Sequence, residues 1–499
     1  MKIIKEKHVH VFFICLCLVI LIPFFFKDRV IKEKSPKVRL VSYLSYEDLI
    51  KLAYNKKNSY KLYKKLQKQL DTPYIVNRIN ESETISPKLL KDHLRIAHWN
   101  IQRGFNIEQI KTLLASSDTY YYIYRNNIRE KSQDSFRREL KLLSTSDIIS
   151  LNEVDIGMPR TNYRNNIDEL ATSLGYNYAF ATEFIELGPI IAMLNIDSKK
   201  YCGLHGNAIL SKYPIKNVEV VRLPDTYKWY EEELKRRSLL EGARRIGAKG
   251  LFREQIFSEV RRGGRNAIIA DIELPNKEIV TVVSTHLEDR CFPKGRFKQM
   301  EYLLTKLKYK RTPLILAGDF NTTTSDSIPT SFKKEVIKRI KDPNFLARQA
   351  IFLTIPILPP GVGNLSAAAI STSLKYKDPA VVSIPLLSPN GERKLFTSLK
   401  DFKFYDGGKF NFEGDSNKSS NGKRGLLSDS NERQLKGFES TFEFTKPNVI
   451  GYYKLDWFFV KPKRKRFEPY NGQTLKLVNE SFPSMISDHD PITVDLTLY

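Results

Sequence analysis

Polar side chains stand at the ends of short apolar segments along this chain, and together they could hydrolyse a phosphate ester. In residues 313–321, PLILAGDFN, an apolar run ends at Asp319 and Asn321. Side chains two apart on an extended segment share one side, so an acceptor-only carboxylate lies beside an amide that donates and accepts. Such a pair suits a phosphate ester and its attacking water. A tight turn in which both side chains bond their own backbone fits the same residues.

Other polar residues occupy similar positions, in or just beyond an apolar segment: Asn100, Glu153, His286, Asp456, Asp488 and His489. Glu153 ends a segment that looks buried, where an unpaired carboxylate is costly and a metal would relieve that cost. Taken singly, these residues have structural explanations, such as a hydrogen-bonded histidine or a capping aspartate. Their recurrence in one context favours a catalytic site, and hard oxygen ligands favour magnesium, manganese or calcium over zinc.

The elements that must position these residues are short, apolar strands with helical patterns between them. Strands are expected near residues 94–102, 147–154, 204–214, 262–271, 282–287, 314–319, 453–460 and 492–498. This alternation predicts a mixed sheet core covered by helices. We divide the chain into an anchor or signal at residues 1–30, a basic helical linker at 31–90, and a catalytic domain at 91–499 with a long insertion at about 325–450.

The N-terminus carries an apolar run at residues 9–26, VHVFFICLCLVILIPFFF, which is 18 residues long. This is just enough to span a bilayer as a helix. Its end lacks the small residues of a cleavage site, so we expect an uncleaved single-pass transmembrane helix, with a cleaved signal peptide as the alternative. Basic residues flank both ends and leave the side of the membrane open. Residues 45–70 predict one amphipathic juxtamembrane helix, whose basic face lies on anionic lipid or in solvent.

The composition describes a globular protein with a strong positive charge. Lysine and arginine number 81 against 56 aspartates and glutamates, giving a net charge of +25 over 499 residues. Polyanionic partners such as nucleic acid, anionic headgroups or phosphorylated small molecules fit this charge, although a generally lysine-rich proteome would also produce it. Cys202 and Cys291 are the cysteines outside the apolar run, which excludes a disulfide framework and a cysteine-rich metal site.

Six motifs in this order resemble those of the endonuclease/exonuclease/phosphatase superfamily, which includes deoxyribonuclease I, abasic-site endonucleases, inositol-phosphate phosphatases and neutral sphingomyelinases. They are Asn100 in Trp-Asn-Ile, Glu153, Ser-Thr-His-Leu at 284–287, Gly-Asp-Phe-Asn at 318–321, Leu-Asp-Trp at 455–457 and Ser-Asp-His-Asp-Pro at 487–491. The resemblance covers about residues 94–499. It implies a four-layer α/β sandwich with two central mixed β-sheets flanked by helices, here preceded by the N-terminal transmembrane helix.

The resemblance also implies roles for individual residues. A divalent metal, usually Mg²⁺ with Mn²⁺ or Ca²⁺ as alternatives, would be held by Glu153 with Asn100 and Asp488. Catalytic roles fall on Asp319 and Asn321 at the attacking water or phosphate, on His489 oriented by Asp456 at the phosphate oxygens, and on His286 near the leaving group. We further expect three residues to bind substrate: Asn207, Arg265 and Arg296.

The expected function is divalent-metal-dependent hydrolysis of a phosphodiester, with endonuclease-like activity in a monomer. Gln102 stands where abasic-site enzymes of the superfamily carry an acidic residue, which argues against that role. Arginines are dense at residues 227–265 and could guide nucleic acid, or form a solvated helix. An apolar piece at 350–370 and the anchor favour the alternative of a sphingomyelinase-like or inositol-phosphatase-like enzyme, and residues 407–431 suggest a flexible loop. A non-catalytic binding module on the same fold is the alternative of another class.

Overall fold

The computed structural model describes residues 42–54, 59–78, 92–191, 193–226, 260–289, 291, 293–322, 392–411, 441–444, 451–483 and 485–498. Val38–Tyr499 form one compact unit. The predicted anchor at 9–26, the arginine-rich residues 227–259, the apolar piece at 350–370 and most of the tract at 407–431 lie outside the described residues. Within the described ranges, no helix combines the length and the apolar character needed to cross a membrane.

Strands and helices alternate along the described chain. The strands are β1 Tyr74–Val76, β2 His93–Arg103, β3 Ile148–Ile156, β4 Asn177–Glu186, β5 Leu204–Ser211, β6 Ile215–Arg222, β7 Arg261–Gly263, β8 Asn266–Glu273, β9 Ile279–His286, β10 Leu314–Asp319, β11 Phe442–Phe444, β12 Gly451–Tyr453, β13 Asp456–Lys461, β14 Pro469–Thr474 and β15 Ile492–Thr497. The α-helices are α1 Tyr46–Tyr54, α2 Tyr60–Asp71, α3 Ile107–Ala115, α4 Ser117–Tyr124, α5 Gln133–Ser144, α6 Asn166–Leu174, α7 Gly188–Ile191, α8 Pro293–Leu307, α9 Arg393–Asp401 and α10 Lys476–Glu480.

Two mixed sheets form the centre of the molecule. In the described residues, sheet 1 has eight strands in the order β1-β4-β5-β3-β2-β15-β14 with β7 paired to β4, and sheet 2 has five in the order β13-β10-β9-β8-β6. The pair β2–β3 in sheet 1 and the pair β9–β10 in sheet 2 are parallel, and the remaining pairs of both sheets are antiparallel. The predicted fold of two mixed sheets flanked by helices is confirmed.

The layers follow from side-chain alternation along the strands. On β10, Ile315 and Ala317 face the apolar core between the sheets, whereas Leu316 packs with helices α8 and α9 on the outer face of sheet 2. A third apolar cluster, which includes Trp99 of β2, joins the outer face of sheet 1 to its helices. Because each strand is covered on both faces, its sequence is a continuous apolar run rather than an alternating one.

Gly318 lets the two central strands of sheet 2 approach each other at the site. A Cβ atom at this position would lie 2.0 Å from the carbonyl oxygen of Thr285 on β9. Glycine is therefore required immediately before Asp319, and it fixes that carboxylate against β9.

The segment between the predicted anchor and the predicted start of the catalytic domain at residue 91 differs from its prediction. Residues 45–70 form two helices, α1 and α2, rather than one. Both bury leucines in the cluster on sheet 1, and β1 pairs with the edge of β4. This part of the predicted linker therefore packs as part of the catalytic unit, and the core begins well before residue 91.

Candidate active site

The register of sheet 2 brings three of the predicted site residues side by side. Asp319, the last residue of β10, pairs with His286 at the end of β9 and with Asp456 at the start of β13. All three side chains are almost fully buried. The polar residues that follow separate apolar runs in the sequence thus meet at one edge of the sheet, because these runs are neighbouring strands.

Sheet 1 contributes its residues through irregularities in two strands. The β2–β3 register shifts between Asn100 and Arg103, and the β3–β5 register shifts between Leu151 and Val154. Glu153 lies within the second shift and has a φ of 56°, in the left-handed region that non-glycine residues rarely adopt. Such bulges redirect side chains next to active sites, and backbone strain of this kind concentrates at functional positions.

The Asp319 carboxylate contacts or faces four other residues of the site. Its Oδ1 accepts a bond of 2.8 Å from the backbone N–H of Asn321, so the turn considered from sequence does form. Its Oδ2 accepts from Asn100 Nδ2 at 3.1 Å and lies 3.5 Å from His286 Nε2 and 3.7 Å from His489 Nε2. One oxygen therefore fixes the loop, while the other faces two imidazoles that approach it from opposite sheets.

His489 is held by Asp456, as the resemblance implied. Its Nδ1 lies 2.8 Å from Asp456 Oδ2, so the carboxylate fixes a proton on Nδ1. Burial acts to lower the pKa of His489, but the carboxylates of Asp456 and Asp319 outweigh it and raise this pKa well above its ordinary value. At neutral pH the imidazolium can therefore donate to a phosphate oxygen.

The loop that carries Asp488 and His489 is tied to both α10 and β2. Asn479 of α10 accepts bonds of 2.9 Å from the backbone N–H groups of Ile486 and Ser487. The indole of Trp99 donates to the carbonyl of His489 at 2.8 Å. This loop is thus held in place before any ligand binds.

The donor set around Glu153 fits a hard divalent cation. Burial and the charges of Glu153 and Asp319 raise the pKa of Asp488 to about 6, against the influence of His489. Burial also opposes ionisation of Glu153, yet surrounding positive charges, chiefly those of His205 and His286, hold its pKa at about 2. Asn100 Nδ2 donates to the Glu153 carboxylate at 3.3 Å. The carboxylates of Glu153 and Asp488 are oxygen ligands of the kind that magnesium, manganese or calcium prefer. The Asn100 amide directs its Nδ2 toward Glu153 while its Oδ1 accepts from the Gln102 N–H, so it would have to turn over to bind a cation through oxygen.

A second group of possible ligands consists of Asp319, Asp456 and His489, whose ligand atoms lie within 4.8 Å of one another. Both oxygens of Asp456 are already engaged, since Oδ1 accepts from His98 at 3.0 Å and Oδ2 from His489 and Thr441. A metal here would have to displace these bonds. The hydrogen-bonded arrangement therefore accounts for this trio better than a metal does.

Arg265 and Glu183 both contact His286 at Nδ1, the ring nitrogen that does not face Asp319. The Arg265 guanidinium lies 2.8 Å from His286 Nδ1, and the Glu183 carboxylate lies 3.4 Å from the same nitrogen. Burial and Arg265 act to lower the pKa of His286, but Glu183 and Asp319 outweigh them and raise it. The other ring nitrogen, Nε2, faces Asp319. Arg265 also contacts Glu183 at 3.3 Å and Asp289 at 3.2 Å. Its predicted role in substrate binding stays a prediction.

The other two residues expected at the substrate lie behind the site. Asn207 is buried between Asn152, which donates to its Oδ1 at 2.7 Å, and Asn266, which accepts from its Nδ2 at 2.9 Å. Asn152 in turn accepts from the backbone N–H of Asp319. Arg296 of α8 donates to the carbonyls of Glu288, Asp289 and Cys291 and pairs with Glu392. Whether either residue contacts substrate stays a prediction.

Several polar residues near the site were not singled out from the sequence. Glu183 of β4 lies 3.4 Å from His286 Nδ1, and His98 of β2 lies 3.0 Å from Asp456. Asp155 of β3 contacts His205 of β5 at 2.8 Å and forms a bidentate pair with Arg160. Asp155 follows Glu153 by two residues, which is a usable signal. The others lie inside strands, where only the pairing register reveals their partners.

The buried Glu288, just beyond β9, is expected to make the stability of the folded protein depend on pH. Burial and the neighbouring Asp289 raise its pKa to about 7 from an ordinary 4.5, although Arg265 acts in the opposite direction. The folded protein therefore keeps a proton that the unfolded chain loses, and stability falls as pH rises through this window. Above the folded-state pKa of about 7, we expect Glu288→Gln to be more stable than wild type by on the order of 1–3 kcal/mol. Below the ordinary pKa of 4.5, which applies to the unfolded chain, we expect the two proteins to be equally stable.

Thermal unfolding of both proteins at about pH 4.5 and about pH 8 measures this difference. Glu301→Gln, a change of the same kind on the exposed side of α8, is the matched control. A Glu288→Gln variant with the same advantage at both pH values would contradict the prediction.

Comparison with solved structures gives low identities and modest overlaps. The human Nocturnin catalytic domain with bound sulfate is 12% identical, with 86% of this chain and 98% of that chain covered and a TM-score of 0.37. A 3′–5′ exonuclease from Neisseria meningitidis is 12% identical, with 81% of this chain and 99% of that chain covered and a TM-score of 0.38. A mannosyl-6-phosphatase from Bacteroides thetaiotaomicron is also 12% identical, with 81% of this chain and 99% of that chain covered and a TM-score of 0.37. No curated protein matches this chain.

A family model, by contrast, matches most of the chain. The match runs from residue 97 to residue 489, from β2 through the loop that carries His489. It includes all of the predicted catalytic and metal-binding residues. The chain therefore belongs to the Endonuclease/Exonuclease/phosphatase family, whose members hydrolyse phosphoric esters.

Proposed function

We propose that this protein is a divalent-metal-dependent phosphodiesterase that acts on nucleic acid. The observation that supports this proposal most directly is the surroundings of Asp319 Oδ2. This oxygen accepts from Asn100 and lies within 3.7 Å of imidazole nitrogens from His286 and His489. A general base, two imidazole donors and a cluster of metal-ligating carboxylates thus border one space. In-line attack of water at phosphorus needs this combination.

In this proposal the carboxylates of Glu153 and Asp488, with Asn100, hold the metal. When bound, the cation neutralises phosphate charge and helps to activate water. Asp319 takes the proton of the attacking water, and Asn321, whose Nδ2 donates to the Leu287 carbonyl at 3.0 Å, borders the path of that water. His489 donates from Nε2 to a phosphate oxygen, and its positive charge is maintained by Asp456.

His286 lies on the other side of Asp319 and serves the leaving group. Its Nε2 faces the same oxygen at 3.5 Å, and the raised pKa of His286 favours the protonated ring, which carries an N–H there. It can donate to the oxygen that departs from phosphorus. The two histidines thus bracket the phosphate, one from each sheet.

Nucleic acid is the substrate that the charge favours. The net charge of +25 attracts a polyanion, and ten arginines or lysines lie in residues 235–265. The last of them, Arg265, contacts His286 at the site. A phospholipid headgroup is the second candidate, and its support is the apolar run at residues 9–26, which would anchor the enzyme at a membrane. Inositol phosphates are phosphomonoesters, whose phosphorus is open to the same in-line attack by water.

The test uses the full chain in mild detergent, with plasmid DNA, sphingomyelin vesicles and inositol phosphates offered separately, with and without magnesium. We expect metal-dependent nicking of the plasmid that Glu153→Gln reduces by at least about a thousandfold. Asp271→Asn, at the opposite end of sheet 2 from Asp319, is the control for loss of a carboxylate. Cleavage of sphingomyelin or inositol phosphates in place of DNA would replace the substrate, and a fully active Glu153→Gln would overturn the assignment of the site.

A further inference from the structure

A chain of hydrogen bonds runs behind the Asp456–His489 pair and crosses from one sheet to the other. His98 of β2 lies with Nε2 at 3.0 Å from Asp456 Oδ1 and Nδ1 at 3.1 Å from Ser150 Oγ of β3. Ser150 Oγ is 2.8 Å from Ser284 Oγ of β9. None of these residues has any exposed surface. The chain therefore connects sheet 1 to sheet 2 directly beneath the site.

The proton positions in this chain follow from Asp456. Burial opposes its ionisation, but His489 and His98 outweigh it and lower the pKa of Asp456 below its ordinary value. As a carboxylate it only accepts, so His98 must present an N–H at Nε2 and His489 an N–H at Nδ1. His98 Nδ1 contacts Ser150 Oγ, which in turn donates to Ser284 Oγ.

These bonds determine the orientation of the Asp456 carboxylate. His489 and Thr441 both contact Oδ2, and a carboxylate held at one oxygen alone can still rotate about its Cβ–Cγ bond. The bond from His98 to Oδ1 fixes the second oxygen and hence the plane of the group. His98 itself is held by Ser150 and by an edge-to-face contact with Phe458, whose ring centroid is 6.4 Å away.

We propose that His98 is a positioning residue for the phosphate-binding histidine: it fixes the Asp456 carboxylate from the side opposite His489 and so sets the direction of His489 Nε2. This inference rests on the proposed role of His489 in hydrolysis. It requires no contact between His98 and substrate. Partners one step removed from a reacting group commonly contribute about 10–100-fold to activity.

Two variants separate the hydrogen bond from the packing. His98→Gln retains an amide N–H that can reach Asp456, whereas His98→Met has similar length and no donor. We expect His98→Met to lower kcat about 10–100-fold with KM changed little, and His98→Gln to restore most of the loss. His93→Met removes a histidine from the other end of the same strand and is the control. Equal losses in the Met and Gln variants, or no loss in either, would overturn the proposal.

A spectroscopic measurement tests the arrangement without turnover. In protein labelled with ¹⁵N-histidine, two downfield imidazole protons are expected, one on His98 Nε2 and one on His489 Nδ1. His98→Gln should remove the first and leave the second, and Asp456→Asn should remove or shift both. A wild-type spectrum in which His98 shows no such proton overturns the proposal, even if His98→Met does not fold. Absence of hydrolysis with both protons present would instead count against the proposed function.

Discussion

Replacement of Asp319 by asparagine is expected to lower kcat by about 10²–10⁴-fold while the protein stays folded. Asparagine keeps an oxygen that can accept from the Asn321 backbone N–H, so the turn after β10 can persist. It removes the negative charge that faces His286 and His489 at 3.5 and 3.7 Å. The variant therefore loses its base for the attacking water rather than its fold. Steady-state kinetics together with thermal unfolding measure the two effects separately.

The matched control is Asp271→Asn on β8. Asp271 pairs with Thr281 at the start of β9, whereas Asp319 pairs with His286 at its end. Both carboxylates belong to sheet 2, but only Asp319 lies among the site residues. Equal activity of Asp319→Asn and wild type would remove Asp319 from the mechanism, and a large drop in the melting temperature would show that its role is structural.

The sequence was informative about the site because its residues follow apolar runs. In Gly318-Asp319, a buried strand ends in a charge that a core strand does not need, and this can be seen without knowledge of the pairing. The same holds for His286, whereas Glu153, which was predicted to end its strand, lies inside β3, because that strand continues to Ile156. What the pattern cannot supply is the register that places Asp319 beside both His286 and Asp456.

Residues inside strands were missed for a physical reason. His98 and Glu183 lie inside strands among buried neighbours, so nothing next to them in the sequence indicates their partners. Each is stabilised by a partner that is distant in sequence, His98 by Asp456 and Glu183 by Arg265. The backbone of Glu153 is a further case, because its left-handed φ arises from a register shift between strands rather than from local preference.

The segment before residue 91 shows how composition can mislead about packing. Its many lysines suggested a basic linker, yet α1 and α2 bury Leu49, Leu52 and Leu66 against the cluster on sheet 1. The apolar stripe of each helix is narrow and its basic residues lie on the other face. Helical periodicity was thus correctly recognised, but a single sequence does not show which surface an amphipathic helix covers.

Replacement of Arg296 by methionine is expected to destabilise the protein by about 3–5 kcal/mol. Its guanidinium is buried, pairs with Glu392 and donates to three carbonyls in the loop after β9. Burial acts to lower the pKa of Arg296, but Glu392 outweighs this and raises it, so the pair is ionic. Removal of one partner leaves a buried carboxylate without its counter-charge. Thermal and denaturant unfolding measure the loss.

The double variant Arg296→Met/Glu392→Leu distinguishes this structural role from the substrate contact expected from sequence. If the ion pair matters for folding, the double variant recovers much of the stability, because two apolar side chains of similar volume can replace a buried pair. Lys298→Met, on the exposed face of the same helix, should be neutral. A raised KM that persists in the stable double variant would assign Arg296 to substrate. A KM equal to that of wild type would instead assign it to the attachment of α8 to Glu392, the residue before α9.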